Sequence, residues 1–149
     1  MSLDRHVEGY NPDFDIDYEY GKQGELFVTS VAQAMKEGRV EVKRDGKFAE
    51  TGNLYVECAC YRRGQWRPSG IRLTDNPPDI WVFVLGDSET ALVIPTERLR
   101  AVCKPLWDAG RVAGENDGSH PTKGVLVKVS QLMAEIRRWD MAGRRQGAA

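Results

Sequence analysis

The sequence has no apolar run near the roughly 20 residues needed to cross a bilayer. Nor does its first segment carry the apolar stretch that directs secretion. Histidine is scarce: only His6 and His120 are present, far apart in the chain, which argues against His-rich metal centres and His-centred catalytic motifs. Cysteine is scarce too, with three residues and no framework spacing. A disulfide scaffold is therefore disfavoured and a reducing compartment favoured. No internal repeat or low-complexity tract interrupts the chain. These absences predict a cytoplasmic protein with no membrane partner.

What is present fits one globular domain. The chain has 149 residues, 41% of them hydrophobic and 29% charged, enough to bury a core of its own. The net charge of −1 hides an asymmetry. Residues 1–20 hold six acids against one base, whereas the rest carries 20 bases against 16 acids. The reading is an acidic N-terminal arm (1–20), a single domain (21–141) and a basic flexible tail (142–149). Arg62, Arg63, Arg67 and Arg72 fall within eleven residues, interleaved with Tyr61 and Trp66. Cationic side chains beside aromatics suit a phosphate backbone and exposed bases. The same pattern also occurs as ordinary solvated surface.

Hydrophobic periodicity orders the elements. Leu26, Phe27, Val31, Ala34 and Met35 recur at helical spacing over 22–36, with Gly38 as the stop. Residues 39–45 alternate as a strand. Residues 53–61 form a second strand, with Leu54, Val56, Cys58 and Cys60 on one face and Tyr55, Glu57 and Ala59 on the other. Residues 62–78, rich in Gly, Pro and Arg, read as a long loop of the kind that carries function. The apolar run 80–85 predicts a central buried strand, and 91–94 its hairpin partner. Thr96 is placed as the N-cap of a helix bearing Leu99, Val102, Cys103 and Leu106. After a polar loop over 110–123, a strand at 125–129 leads to a last helix, capped by Ser130 and running to about residue 141. The fold class is α/β, with a mixed sheet flanked by helices.

Three acids stand out by placement. Glu25 sits in the first helix, Asp45 at the end of the first strand, and Glu57 within the second strand among apolar neighbours. A carboxylate in a strand that looks buried is costly unless paired or bound to a cation. Adjacent antiparallel strands would bring Asp45 and Glu57 to one divalent ion, with Glu25 added by a helix packed on the sheet end. Hard oxygen ligands of this kind suit Mg²⁺ or Mn²⁺. Such an ion activates water and neutralises charge on a phosphoryl group.

The stretches VEVKRD (40–45), TGNLYVE (51–57), RPSGI (67–71) and PDIWVFV (78–84), following a helix Glu, resemble the PD-(D/E)xK nuclease superfamily. The likeness spans roughly residues 21–107 and is nearest to the Holliday-junction-resolvase-like and phage-encoded branches. It implies a restriction-endonuclease-like core, Asp45 and Glu57 as metal ligands, Glu25 in an assisting role, and DNA as substrate. It further implies a phage or prophage origin, a bacterial or phage-infected cytoplasm, and, since junction-resolving members are dimers, a homodimer. The superfamily's lysine stands two residues after the Glu, where this chain has Ala59. Either Lys43 or Arg67 takes over the orienting of water and the stabilising of the transition state, or the domain is a degenerate nucleic-acid-binding module. Arg62, Arg63, Trp66, Arg67 and Ser69 are then the expected contacts to DNA.

Plainer roles stand beside these. Glu57 pairs with Lys43 or Lys47 across a hairpin, Glu25 is a solvated helix residue, or Asp45-Gly46 is only a turn. Glu41-Val42-Lys43 has the form of a (D/E)xK tripeptide but precedes Asp45, so Glu41 is read as exposed or secondary. Cys58 and Cys60 lack a second pair and read as core, not as a zinc site. Ser69 lacks a nucleophile-elbow context, and Trp81 belongs to the core.

Overall fold

The fold is that of a computed structural model describing residues 14–116 and 120–147. The chain divides into two compact units, Met1–Gly38 and Arg39–Ala149.

In the described part of the first unit there is one helix, α1 (Phe14–Lys36). It begins eight residues before the start expected from the apolar stripe. Asp15, Asp17 and Glu19, read in sequence as part of the acidic arm, fall within this helix. Gly38 ends it in the left-handed region (φ 68), and the Gly38 N–H donates to Met35 O at 3.2 Å. The rest of the acidic arm lies outside the described residues.

The second unit contains β1 (Val40–Asp45), α2 (Phe48–Thr51), β2 (Asn53–Arg62), β3 (Gln65–Pro68), a 3-10 turn (Gly70–Arg72), β4 (Ile80–Leu85), β5 (Ala91–Pro95), α3 (Thr96–Asp108), β6 (Ala113–Asn116), β7 (Pro121–Lys128) and α4 (Val129–Gly147). The architecture is mixed α/β, and its strands form two sheets. One is mixed, in the order β1-β4-β5; the other is antiparallel, in the order β3-β2-β7-β6.

β1 therefore does not form a hairpin with β2, contrary to expectation. It lies parallel to β4, with Val42 beside Val82 and Asp45 beside Leu85. A parallel pair needs a long crossover, and here the crossover is β2, β3 and the 3-10 turn, which belong to the other sheet or follow it. The stretch read as an uninterrupted loop thus contains a hairpin strand. Arg63 (φ 52) and Gly64 (φ 79) supply the two left-handed residues of a tight hairpin turn. Arg at the first of them masks the signal, which Asn or Asp would have announced.

The strongest sequence signals correspond to observed elements. Ile80 to Phe83 are all buried in β4, the centre of its sheet, and β5 returns antiparallel from Ala91. Trp81 and Phe83, two residues apart on one face, stack with centroids 6.0 Å apart. They share a core with Leu54, Val56 and Cys58 of β2, Val125 and Val127 of β7, Leu99 and Cys103 of α3, and Leu132 of α4. Thr96 is the first residue of α3 and not its cap: Pro95 holds that position, and Thr96 Oγ1 donates to Pro78 O. The polar stretch before residue 125 contributes β6 and the first half of β7. α4 extends past the expected stop to Gly147, with Arg144 and Arg145 in its last turn, where cations complement the negative dipole end. Among the described residues no helix is long and apolar enough to cross a membrane.

Cys58, Cys60 and Cys103 are free and buried. Burial pushes the Cys58 thiol up from 9.0 to about 11, against a smaller opposing pull from Arg72, and raises Cys103 further. Unfolded thiols ionise first as pH rises, so this contribution to stability is complete below about pH 9 and is lost as pH approaches 11. Cys58 and Cys103 are expected to resist thiol-specific reagents at pH 8 until denaturant is added. The protein's denaturation midpoint should fall between pH 9 and 11, and less steeply in Cys58→Val. Rapid labelling of Cys58 or Cys103 in the native protein, or a midpoint insensitive to alkali in both proteins, contradicts this account.

Candidate functional site

The second unit has a cleft of about 540 Å³ whose walls include Lys43, Asp45, Tyr55, Glu57 and Thr122. Asp45 and Glu57 thus reach one cleft although their strands lie in different sheets. Asp45 is held by two backbone amides. Oδ1 accepts the Lys47 N–H at 3.1 Å, closing the turn after β1, and Oδ2 accepts the Tyr55 N–H of β2 at 3.0 Å. The plain turn role and the cleft position belong to the same side chain. Each carboxylate oxygen keeps a further acceptor site.

Glu57 is half-buried. Neither Lys43 nor Lys47 pairs with it; its Oε1 accepts the Ser69 hydroxyl at 2.5 Å, and Lys43 Nζ lies 2.7 Å from Glu41 Oε1. The hairpin that would have faced Glu57 with a lysine does not exist. Around Glu57 the strand is irregular. Its partner in β7 is Gly124, while Ala59 faces Lys123, so Cys58 is an extra residue, a β-bulge. The Cys58 carbonyl accepts the Ser69 N–H at 3.1 Å. Gly70 (φ 54) lies so close that a Cβ there would be 2.3 Å from Glu57 O. Ser69-Gly70 is therefore a clamp on the bulge: the Ser69 backbone N–H binds Cys58 O, its hydroxyl binds Glu57, and Gly70 supplies the conformation and the close approach.

The bulge also changes the side-chain phase. Up to Cys58 the expected alternation holds, with Leu54, Val56 and Cys58 fully buried. Beyond it, Cys60 joins Glu57, Arg62, Arg67 and Ser69 around one cavity, and neither Ala59 nor Tyr61 lines it. The reading that put Cys60 with Cys58, and Ala59 with Glu57, is corrected: one inserted residue exchanges the two faces. The position two after Glu57 does not look into the site at all.

The Arg-aromatic stretch is divided in the same way. Arg62, Arg67 and Ser69 lie on the Glu57 side, and Arg63 is in the hairpin turn. Trp66 does not share that side. It meets Tyr61 edge-on at 5.4 Å, with Lys123 Nζ 4.2 Å above its ring. Glu25 is exposed in α1, in the other compact unit, and the cleft is lined without it.

Sequence reasoning missed Tyr55 and Gly124. Tyr55 Oη and Thr122 Oγ1 are 2.8 Å apart in the cleft wall. A Cβ at Gly124 would lie 2.3 Å from Val56 O and 2.9 Å from the Tyr55 ring. A glycine inside a strand pattern is the available signal for such a close approach.

The donors fit a hard divalent ion that keeps much of its water. Two carboxylates line the cleft, and Mg²⁺ commonly binds through one or two of them. Among the described residues no group of three His, Cys, Asp or Glu side chains is arranged as a metal site, which disfavours a closed zinc-type centre there. Three bases, Lys43, Arg44 and Lys47, line the cleft beside its two acids; Lys43 pairs with Glu41 and Arg44 with Asp87. No family model, curated protein or solved structure matches the chain.

Gly70→Ala should destabilise the protein by about 3 kcal/mol, combining a disfavoured φ with a backbone collision. Ser69→Ala should cost about 1–2 kcal/mol, the loss of a hydrogen bond to a charged group. Urea unfolding of the two variants checks the order; a Gly70→Ala protein as stable as the parent removes the clamp from the account.

Proposed function

We propose that the protein is a metal-dependent phosphodiesterase acting on DNA, of the PD-(D/E)xK type. The observation that carries this reading is the meeting of Asp45 and Glu57 in one cleft with Lys43. The order of elements, with the Asp ending β1 and the Glu within β2, supports it. The partition of the strands into two sheets departs from a single restriction-endonuclease-like sheet.

Asp45 and Glu57 would hold Mg²⁺ or Mn²⁺, which when bound supplies an activated water and offsets charge on the phosphoryl group. The amides of Lys47 and Tyr55 fix the Asp45 carboxylate, and Ser69 fixes that of Glu57, so both are oriented before any ligand arrives. Lys43 shares the cleft with both carboxylates, whereas Arg67 does not line it. Lys43 is therefore the better replacement for the superfamily's lysine. Freed from Glu41, its Nζ would donate to a phosphoryl oxygen as charge builds there. The site, on this reading, serves DNA in a bacterial or phage-infected cytoplasm, as a monomer or a homodimer.

One observation favours a non-catalytic nucleic-acid-binding module instead. Lys43 is held by Glu41 at 2.7 Å, so the cation expected to replace the superfamily's lysine is already paired.

The deciding experiment offers linear duplex, single-stranded and four-way-junction DNA to the protein with Mg²⁺ or Mn²⁺. Cleavage is expected, reduced at least about a hundredfold in Asp45→Asn and Glu57→Gln and strongly in Lys43→Ala. Salt-sensitive DNA binding without cleavage of any substrate would assign the binding module.

A further inference from the structure

Glu57 and Lys43 also form part of the wall of a second cavity, of about 400 Å³, together with Arg62, Arg67, Ser69 and Trp81. Its charges do not cancel. Lys43 is matched by Glu41, also in the wall, at 2.7 Å. Arg62 and Arg67 then share the wall with the single carboxylate of Glu57, leaving one positive charge in excess. Arg62 and Arg67 make no ion pair or hydrogen bond through their side chains with any described residue.

Trp81, one of the residues that line the cavity, carries an unsatisfied donor. Trp81 is 1% exposed, and its Nε1 is the one buried side-chain polar atom among the described residues without a hydrogen-bond partner. A buried N–H with no acceptor bears the full loss of its hydration, so such groups call for an explanation such as a ligand. The Ser69 hydroxyl is already committed to Glu57. The unmatched groups on the residues lining the cavity are therefore an indole N–H and two guanidinium forks, all donors, with a surplus of positive charge. Their complement is rich in acceptors and negatively charged. Arginine forks match phosphate oxygens in paired hydrogen bonds.

We propose that this cavity is a binding site for a phosphate group, with Arg67 and Arg62 pairing its oxygens and Trp81 Nε1 donating to it or to a water it holds. The shared wall at Glu57 and Lys43 places it beside the Asp45–Glu57 cleft. The phosphate is that of a strand terminus, held while the adjoining phosphodiester occupies the cleft. This choice of source rests on the proposed function; the phosphate site itself does not. Trp81, read in sequence as core alone, thus has a second role through its N–H.

The test uses the full chain in EDTA at constant ionic strength, where metal-dependent cleavage is silent. Binding of inorganic phosphate is measured by titration calorimetry, for the parent and for Arg62→Ala, Arg67→Ala and Trp81→Phe. Phosphate should bind, about tenfold more weakly in either arginine variant and severalfold more weakly in Trp81→Phe, which keeps an aromatic ring but lacks the donor. Asp45→Asn should bind phosphate like the parent even though it loses cleavage, so failure of the nuclease reading is distinguishable from failure of this one. A 5′-phosphorylated oligonucleotide that outcompetes its hydroxyl-ended twin for the site identifies the strand terminus. Equal competition by the two identifies an internal backbone phosphate, competition by neither identifies free phosphate, and both results overturn the terminus assignment. No phosphate binding, or binding unchanged in both Arg67→Ala and Trp81→Phe, overturns the site. Circular dichroism of Trp81→Phe guards against loss by unfolding, and Arg62→Ala and Arg67→Ala change exposed side chains.

Discussion

The bulge at Cys58 is the constraint on which both cavities depend. A strand of regular alternation would send every second residue from Glu57 to the same side, putting Ala59 and Tyr61 there. With one residue added, Cys60 and Arg62 take those places, and the cross-strand partner of Cys60, Arg67, comes with them. A bulge leaves backbone groups outside the ladder, and Ser69 answers this by donating its N–H to Cys58 O and its hydroxyl to Glu57. Gly70 then passes over the Glu57 carbonyl where no side chain fits. Bulge, clamp and carboxylate form one unit, and the chemistry around Glu57 follows from it.

Asp45 performs the matching task between the sheets. β1 ends in the mixed sheet, β2 starts in the antiparallel one, and the Asp45 carboxylate accepts an amide from each side of the junction. That places a charged group where the chain changes sheets and opens the cleft in front of it. The cleft is thus a consequence of dividing the strands, and a single hairpin of β1 and β2 would have closed it.

The two cavities share Glu57 and Lys43 and differ in charge character. The cleft is lined by two carboxylates and three bases, two of which pair with acids outside its lining; its neighbour is lined by arginines without ion pairs among the described residues and by Trp81, whose indole N–H has no partner there. On the proposed reading the cleft would hold a cation and its neighbour an anion, and both would serve a phosphodiester chain, whose scissile and neighbouring phosphates alike attract positive charge. Ala59 loses its weight in this picture. It is buried and turned from the site, so a lysine there would not reach Glu57's surroundings without disturbing the bulge.

Much of the local structure was legible in the residues themselves. The apolar run of β4, the turn into β5, the stripe of Leu99, Val102 and Cys103 on α3, and the alternation of β2 as far as Cys58 are all encoded within a few positions of each residue. Asp45 and Glu57 stood out for the same reason, as carboxylates in places that tolerate few. What only the tertiary structure decided was partnership. β1 pairs with β4, forty residues away in register, and Ser69 reaches Glu57 across a hairpin whose turn begins with an arginine. Hydrogen bonds between distant segments leave no periodic trace in a sequence. A bulge, which inserts one residue without altering composition, leaves none either, yet it decides which side chains meet.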